Sequence, residues 1–308
     1  MNPKTVITVV AVALATAVGN AIADSSQGAQ TRRNDESCGA SDNRGRYDAA
    51  SGAYRQRRLE IIGLTADQRL VCFSEQAPLS ADTIAKVSGL GGSAGDTRLV
   101  GLDFRPATGD LYGVGEKGGV YTIDPATAVA TSVAQLSVPL SGTSFGVDVN
   151  PAADALRIIS DTGQNLRFSF ALGTTTADVG LTYPPAVTPA AGVSGAAYTN
   201  NDLDPNTVTT LYDIDAALDQ VAVQAPANSG TLSPTGKLLV DAGSDAGFDI
   251  YSTLRKGTTV RADAFASLVV NGKTRLYRIQ LLTGRAEFKG NFKVRDRVIG
   301  IAIPLNQL

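Results

Sequence analysis

Histidine and tryptophan are both absent from the 308 residues. Without an imidazole, a Ser-His-Asp or Cys-His nucleophile, a His-ligated zinc and a histidine proton shuttle are all excluded within the chain. Aromatic residues amount to 6%, which leaves little ring surface for the stacking that sugar sites commonly use. Charged residues are 18%, with a formal net charge of −2 and no dense Lys/Arg stripe. Neither a nucleic-acid partner nor an anionic membrane surface is expected from that balance. No phosphate-cradling loop or dinucleotide fingerprint follows a strand and opens a helix, and Gly113-Val114-Gly115 falls inside a hairpin pattern. No nucleotide cofactor is implied. Cysteine occurs twice, as Cys38 and Cys72. An oxidising compartment permits a bridge between them, closing a loop of about 34 residues. The alternative is that Cys72 is a small buried hydrophobe and Cys38 incidental. Both stay open.

What the chain does have is a repeated phrase: Gly, apolar, small or acidic, apolar, then a turn and a strand carrying Leu-Tyr or its equivalent. The glycines that open the copies are Gly63, Gly101, Gly146, Gly195, Gly247 and Gly300, at steps of 38, 45, 49, 52 and 53 residues. Several strands in a period of roughly 40 to 50 residues mark propeller blades rather than solenoids. The clearest copy, Val100 to Leu136, reads as four strands separated by Ala107-Thr108-Gly109-Asp110, Glu116 to Gly119 and Asp124-Pro125, each a turn-forming cluster.

The first copy has three strands, Leu59–Leu64, Arg69–Phe73 and Thr83–Leu90, and the C-terminal run Val298–Pro304 is an orphan innermost strand. Placed beside Leu59–Leu64, that run completes blade one and removes the exposed edges. The expectation is an all-β, five-bladed β-propeller of four-stranded antiparallel blades, closed by the C-terminal strand, over residues 59–308 as one domain. At the other end, Lys4 precedes an apolar run from Val6 to Val18, and Ala21-Ile22-Ala23 offers a small-residue cleavage site. Residues 1–23 read as a signal peptide, too short in its apolar part for the about 20 residues of a spanning helix. A secreted or periplasmic protein with no stable membrane anchor follows. Residues 24–58, with seven arginines among five acidic residues and few large apolar ones, read as a flexible Ser/Gly/Arg-rich tail.

The strings Thr97–Gly115 (TRLVGLDFRPATGDLYGVG), Ser144–Ser169 (SFGVDVNPAADALRIISDTGQNLRFS), Val193–Asp202 (VSGAAYTNND) and Thr209–Gln220 (TTLYDIDAALDQ) resemble the secreted bacterial family known as domain of unknown function 4394. The resemblance spans about residues 60 to 304. It implies a propeller-like domain in an exported protein and carries no catalytic residues to transfer.

Candidate site residues come from the repeat itself. Asp103, Asp148 and Asp249 share the third position of the Gly-apolar-Asp-apolar segment, so ring symmetry brings them near the central channel. Two carboxylates there suit general acid and base chemistry on a sugar, and three with backbone carbonyls suit calcium. The other role is to accept N–H groups of the neighbouring blade and staple the ring, which repetition favours. A second candidate surface is the loop face that carries Glu116, Lys117, Thr143, Ser144, Asp161, Gln164, Asn165 and Asp215, since loops on a rigid scaffold gather binding residues. The functional expectation is an exported, monomeric, non-catalytic binding module for a protein, glycan or small ligand. The alternatives are a carboxylate-dependent carbohydrate hydrolase or lyase, and a structural envelope component.

Overall fold

Short runs of β-branched and aliphatic residues, each stopped by a Gly, Pro, Asn or Asp cluster, become twenty-two strands in the computed structural model. It describes residues 38, 47–48, 53–54, 58–204 and 206–307. The proposed signal peptide lies outside the described residues. Within the stretch read as a tail, β1 (Tyr47–Asp48) and β2 (Ala53–Tyr54) form a small antiparallel ladder, and Cys38 is disulfide-bonded to Cys72.

The remaining strands form five four-stranded antiparallel sheets. Blade one contains β3 (Glu60–Thr65), β4 (Arg69–Ser74) and β5 (Asp82–Lys86), and blade two β6 (Leu99–Phe104), β7 (Leu111–Gly115), β8 (Gly119–Ile123) and β9 (Ala130–Gln135). Blade three is β10 (Phe145–Asn150), β11 (Ala155–Ser160), β12 (Asn165–Ser169) and β13 (Thr174–Ala177). Blade four is β14 (Val193–Tyr198), β15 (Leu211–Asp215), β16 (Gln220–Gln224) and β17 (Leu232–Lys237). Blade five is β18 (Ala246–Arg255), β19 (Thr258–Val270), β20 (Lys273–Ile279) and β21 (Ala286–Asn291), and β22 (Val298–Ala302) ends the ring. β22 pairs with β3, Gly300 opposite Leu64 and Ala302 opposite Ile62, so the C-terminal strand is the innermost strand of blade one. The outermost strand of that blade, β5, stops at Lys86, short of the expected Leu90.

Burial falls outward along each blade. β6 and β14 are buried at every position, whereas β13 has no buried position and β9 and β17 only their first. An innermost strand is covered on both faces by its neighbours, so both sets of alternating side chains must be apolar or paired. Five hydrophobic clusters fill the five gaps between blades. The gap between blades three and four is the polar one. There the buried Arg157 donates to Asn165 (2.7 Å), Asp178 (2.7 Å) and Asn228 (2.6 Å), and to the Tyr198 hydroxyl (3.3 Å).

The glycine alignment needs one correction. Gly101, Gly146, Gly195, Gly247 and Gly300 sit on innermost strands, but Gly63 lies on β3, the second strand of its blade. The true blade period is the Gly101-to-Gly300 series, and Gly63 entered it only because blade one begins with its second strand. In blades one, two and four a register shift directly precedes the innermost glycine, across Val298/Gly300, Leu99/Gly101 and Val193/Gly195. Bulges of this kind re-aim the residues that follow.

Candidate functional site

The five innermost strands run side by side around the axis, and their glycines let them approach closely. A Cβ on Gly146 would stand 2.6 Å from the Ala196 nitrogen, and one on Gly247 2.8 Å from the Gly300 Cα. No side chain fits in that space. At this level the channel narrows to a waist of about 10 Å³, lined by Gly101, Gly146, Gly247 and Gly300 with Phe145 and Ile299. That is room for roughly one water.

Above the waist, where the innermost strands begin, the channel opens into a mouth of about 150 Å³. Its walls include Arg98, Thr143, Ser144, Asp245 and Arg297. Arg297 pairs with Asp245, and Ser144 Oγ donates to the same carboxylate at 3.3 Å. Arg98 is exposed, and among the described residues its guanidinium has no hydrogen-bond or ion-pair partner.

Below the waist lie the three repeat aspartates. They do converge: one carboxylate oxygen from each of Asp103, Asp148 and Asp249 lies within 4.8 Å of the others, and the three residues are only 4%, 2% and 2% exposed. Each also reaches the next innermost strand or its continuation. Asp103 Oδ2 accepts the Val149 N–H (2.8 Å), Asp148 Oδ1 accepts the Tyr198 N–H (3.0 Å), and Asp249 Oδ2 accepts the Ile303 N–H (2.6 Å). Blades four and one carry Ala197 and Ala302 at the equivalent position. Burial, then repulsion from Asp249, drives the Asp103 carboxyl well above the ordinary aspartate value, and burial followed by the charges of Asp103 and Asp249 does the same to Asp148. Burial also raises Asp249 to about 7, against the opposing pull of the Ile303 and Ile250 N–H groups. Three such carboxylates cannot all stay charged without a bound cation; without one, protons neutralise them.

The loop-face candidates are largely consumed by the scaffold. Glu116 accepts the N–H groups of Thr97 and Arg98, both at 2.9 Å, and the Thr97 hydroxyl at 2.8 Å. Burial opposes its ionisation, but these donors outweigh it and hold the carboxyl at about 2. Lys117 donates to the Gly95 carbonyl, Asp161 receives the Thr143 N–H and hydroxyl, and Gln164 accepts the Ser141 N–H. Asn165 and Asp215 are not on an open face: both are buried. Asn165 is among the partners of Arg157 and Asp215 accepts the Tyr183 hydroxyl at 2.8 Å. Turn-forming polarity was the signal for both, and the same polarity serves the gap between blades. Of the eight, Thr143 and Ser144 line the mouth. Arg98, Asp245 and Arg297 were missed: only blades two and one carry arginine three residues before the innermost glycine, where the others have Thr143, Gly192 and Ser244, and Asp245 stands two before Gly247.

Comparison with known proteins bears on this architecture. The profile of the domain of unknown function 4394 (DUF4394) matches residues 69–302. The chain belongs to that family. No curated protein matches it. Among solved structures, the DUF4394 chain is similar to an auxiliary nutrient binding protein from Bacteroides ovatus at 16% identity and a TM-score of 0.35, covering 57% of this chain and 46% of that one. It thus spans less than half of that protein. A protein from Lactobacillus plantarum aligns at 16% identity over 77% of this chain and 67% of its own, TM-score 0.36. The major allergen of Malassezia sympodialis aligns at 12% identity over 71% and 76%, TM-score 0.39.

Proposed function

We propose that this DUF4394 protein is an exported, monomeric, non-catalytic propeller that binds a ligand at the channel mouth, the ligand presenting a small anionic group to Arg98. The carrying observation is the mouth itself: a cavity of about 150 Å³ framed by four blades, with an unpaired guanidinium at its rim. Arginine offers a planar fork of donors that suits a carboxylate or phosphate. The cavity takes such a group and not a polymer.

Carbohydrate hydrolysis at the aspartates gains no support. Each carboxylate is instead engaged by a backbone N–H of the next innermost strand or its continuation. A waist of about 10 Å³ also keeps a sugar ring from reaching them from the mouth. Export is supported by the N-terminal pattern of Lys4, the apolar run and Ala21-Ile22-Ala23, and by the Cys38–Cys72 bridge, since structural disulfides persist in oxidising compartments.

The test is a thermal-shift and calorimetric panel of succinate, citrate and inorganic phosphate on the purified protein. The expected result is binding by at least one anion, weakened about tenfold or more in Arg98→Ala. Equal binding by wild type and variant, or no binding across the panel, would exclude the mouth. N-terminal sequencing of exported protein is expected to begin at Asp24.

A further inference from the structure

Four buried carboxylates gather on one side of the waist. Besides Asp103, Asp148 and Asp249, Asp213 on β15 is 0% exposed, and neither of its oxygens has a hydrogen-bond partner. Asp213 stands opposite Ala196 in the β14–β15 ladder, and Ala196 faces Gly146, where an added Cβ would be 3.0 Å from the Ala196 Cβ. Gly146 and Asp148 share a face of β10, because side chains two apart point the same way. Asp213 is therefore aimed into the gap that Asp148 enters, and the two charges repel. In that gap Arg157 attracts Asp213 but gives its hydrogen bonds to Asp178, Asn165 and Asn228, and Arg167 is taken by Asp178. Among the described residues no cation pairs directly with Asp103, Asp148, Asp213 or Asp249.

We propose that Asp103, Asp148 and Asp249 hold one calcium-sized divalent cation on the propeller axis, with Asp213 adding its field from behind Asp148. Three oxygens within 4.8 Å of one another leave a centre at most about 2.8 Å from each, which admits the 2.3–2.6 Å of calcium–oxygen contacts, and a set of protein carboxylates suits calcium better than magnesium, which gives up its water reluctantly. The backbone staples leave lone pairs free on every carboxylate, and the second oxygen of Asp148 accepts no hydrogen bond from the described residues. Water in the channel completes the shell. The ion ties blades two, three and five together across the axis, so its binding adds to the stability of the closed ring.

The experiment uses the purified protein, with metal content measured by mass spectrometry and thermal unfolding followed in EDTA, in 1 mM CaCl2 and in 1 mM MgCl2. The expected result is one calcium per chain and a melting temperature about 5–10 °C higher in calcium than in EDTA, as for a site about 99% filled in a domain of this size. Magnesium is expected to give a much smaller rise. Asp148→Asn keeps an acceptor for the Tyr198 N–H and should fold while losing the calcium response. Identical melting in EDTA and calcium, with no bound metal, would overturn the site, as would a full calcium response in Asp148→Asn. Should that variant fail to fold, the wild-type comparison decides alone.

Discussion

Glu116 holds the segment that enters blade two through three hydrogen bonds from Thr97 and Arg98. Its carboxyl is held at about 2 against an ordinary 4.5. A depressed carboxylate stabilises the fold above its unfolded value, and that contribution disappears as pH falls through the folded one. Glu116→Gln is expected to lower stability at pH 7 by less than about 1 kcal/mol, the carboxylate being only partly buried and screened by solvent. Denaturant unfolding as a function of pH should show the gap between wild type and variant closing between pH 4.5 and 2. A different case is Asp178, which is buried against Arg157 at 2.7 Å and also takes Arg167 at 3.1 Å. Asp178→Ala strands a buried guanidinium, for which a loss of about 3–5 kcal/mol in urea unfolding is expected. Arg157→Met should cost less, because Arg167 still reaches the carboxylate it leaves behind.

The innermost strand is where backbone contact sets sequence. Gly146→Ala would drive a Cβ to 2.6 Å from the Ala196 nitrogen and 2.8 Å from the Gly195 carbonyl carbon. Backbone cannot rotate aside, so overpacking of at least about 1–3 kcal/mol is expected. Gly300→Ala meets only the Leu64 Cβ at 3.8 Å, an ordinary contact. It should be neutral or stabilise by up to about 1 kcal/mol through a less flexible unfolded chain. Equal melting temperatures for the two variants would contradict the close approach at the waist.

Ring closure belongs to the whole molecule, since β22 supplies the innermost strand of a blade whose other strands come from the opposite end of the chain. Truncation after Arg297 removes that strand, leaves β3 as an open edge and strips the cover from the cluster around Ile61, Val71 and Tyr251. The truncated chain is expected to aggregate on expression, whereas soluble, cooperatively melting protein would contradict closure by β22. The Cys38–Cys72 bridge is a second long-range tie, closing 34 residues. Reduction or Cys72→Ala is expected to cost about 3–4 kcal/mol, seen as a drop on the order of 10 °C in melting temperature.

Much of this molecule is written locally. The period of the glycines, the turn clusters and the orphan Val298–Pro304 run give five blades and their closure, because strand alternation and turn chemistry act over a few residues. The missing histidine removes whole classes of chemistry without reference to shape. Asp103, Asp148 and Asp249 were legible because they repeat in register, and their convergence follows from the ring. What the chain alone does not encode is which polar groups are spent. Asn165 and Asp215 carry the same turn chemistry as exposed residues, yet they end in a buried gap, and Arg98, Asp245 and Arg297 come together at the mouth though only two of the five blades carry arginine at that position. Those outcomes depend on separations across blades, fixed by register, bulges and the closing strand, and only the folded ring sets them.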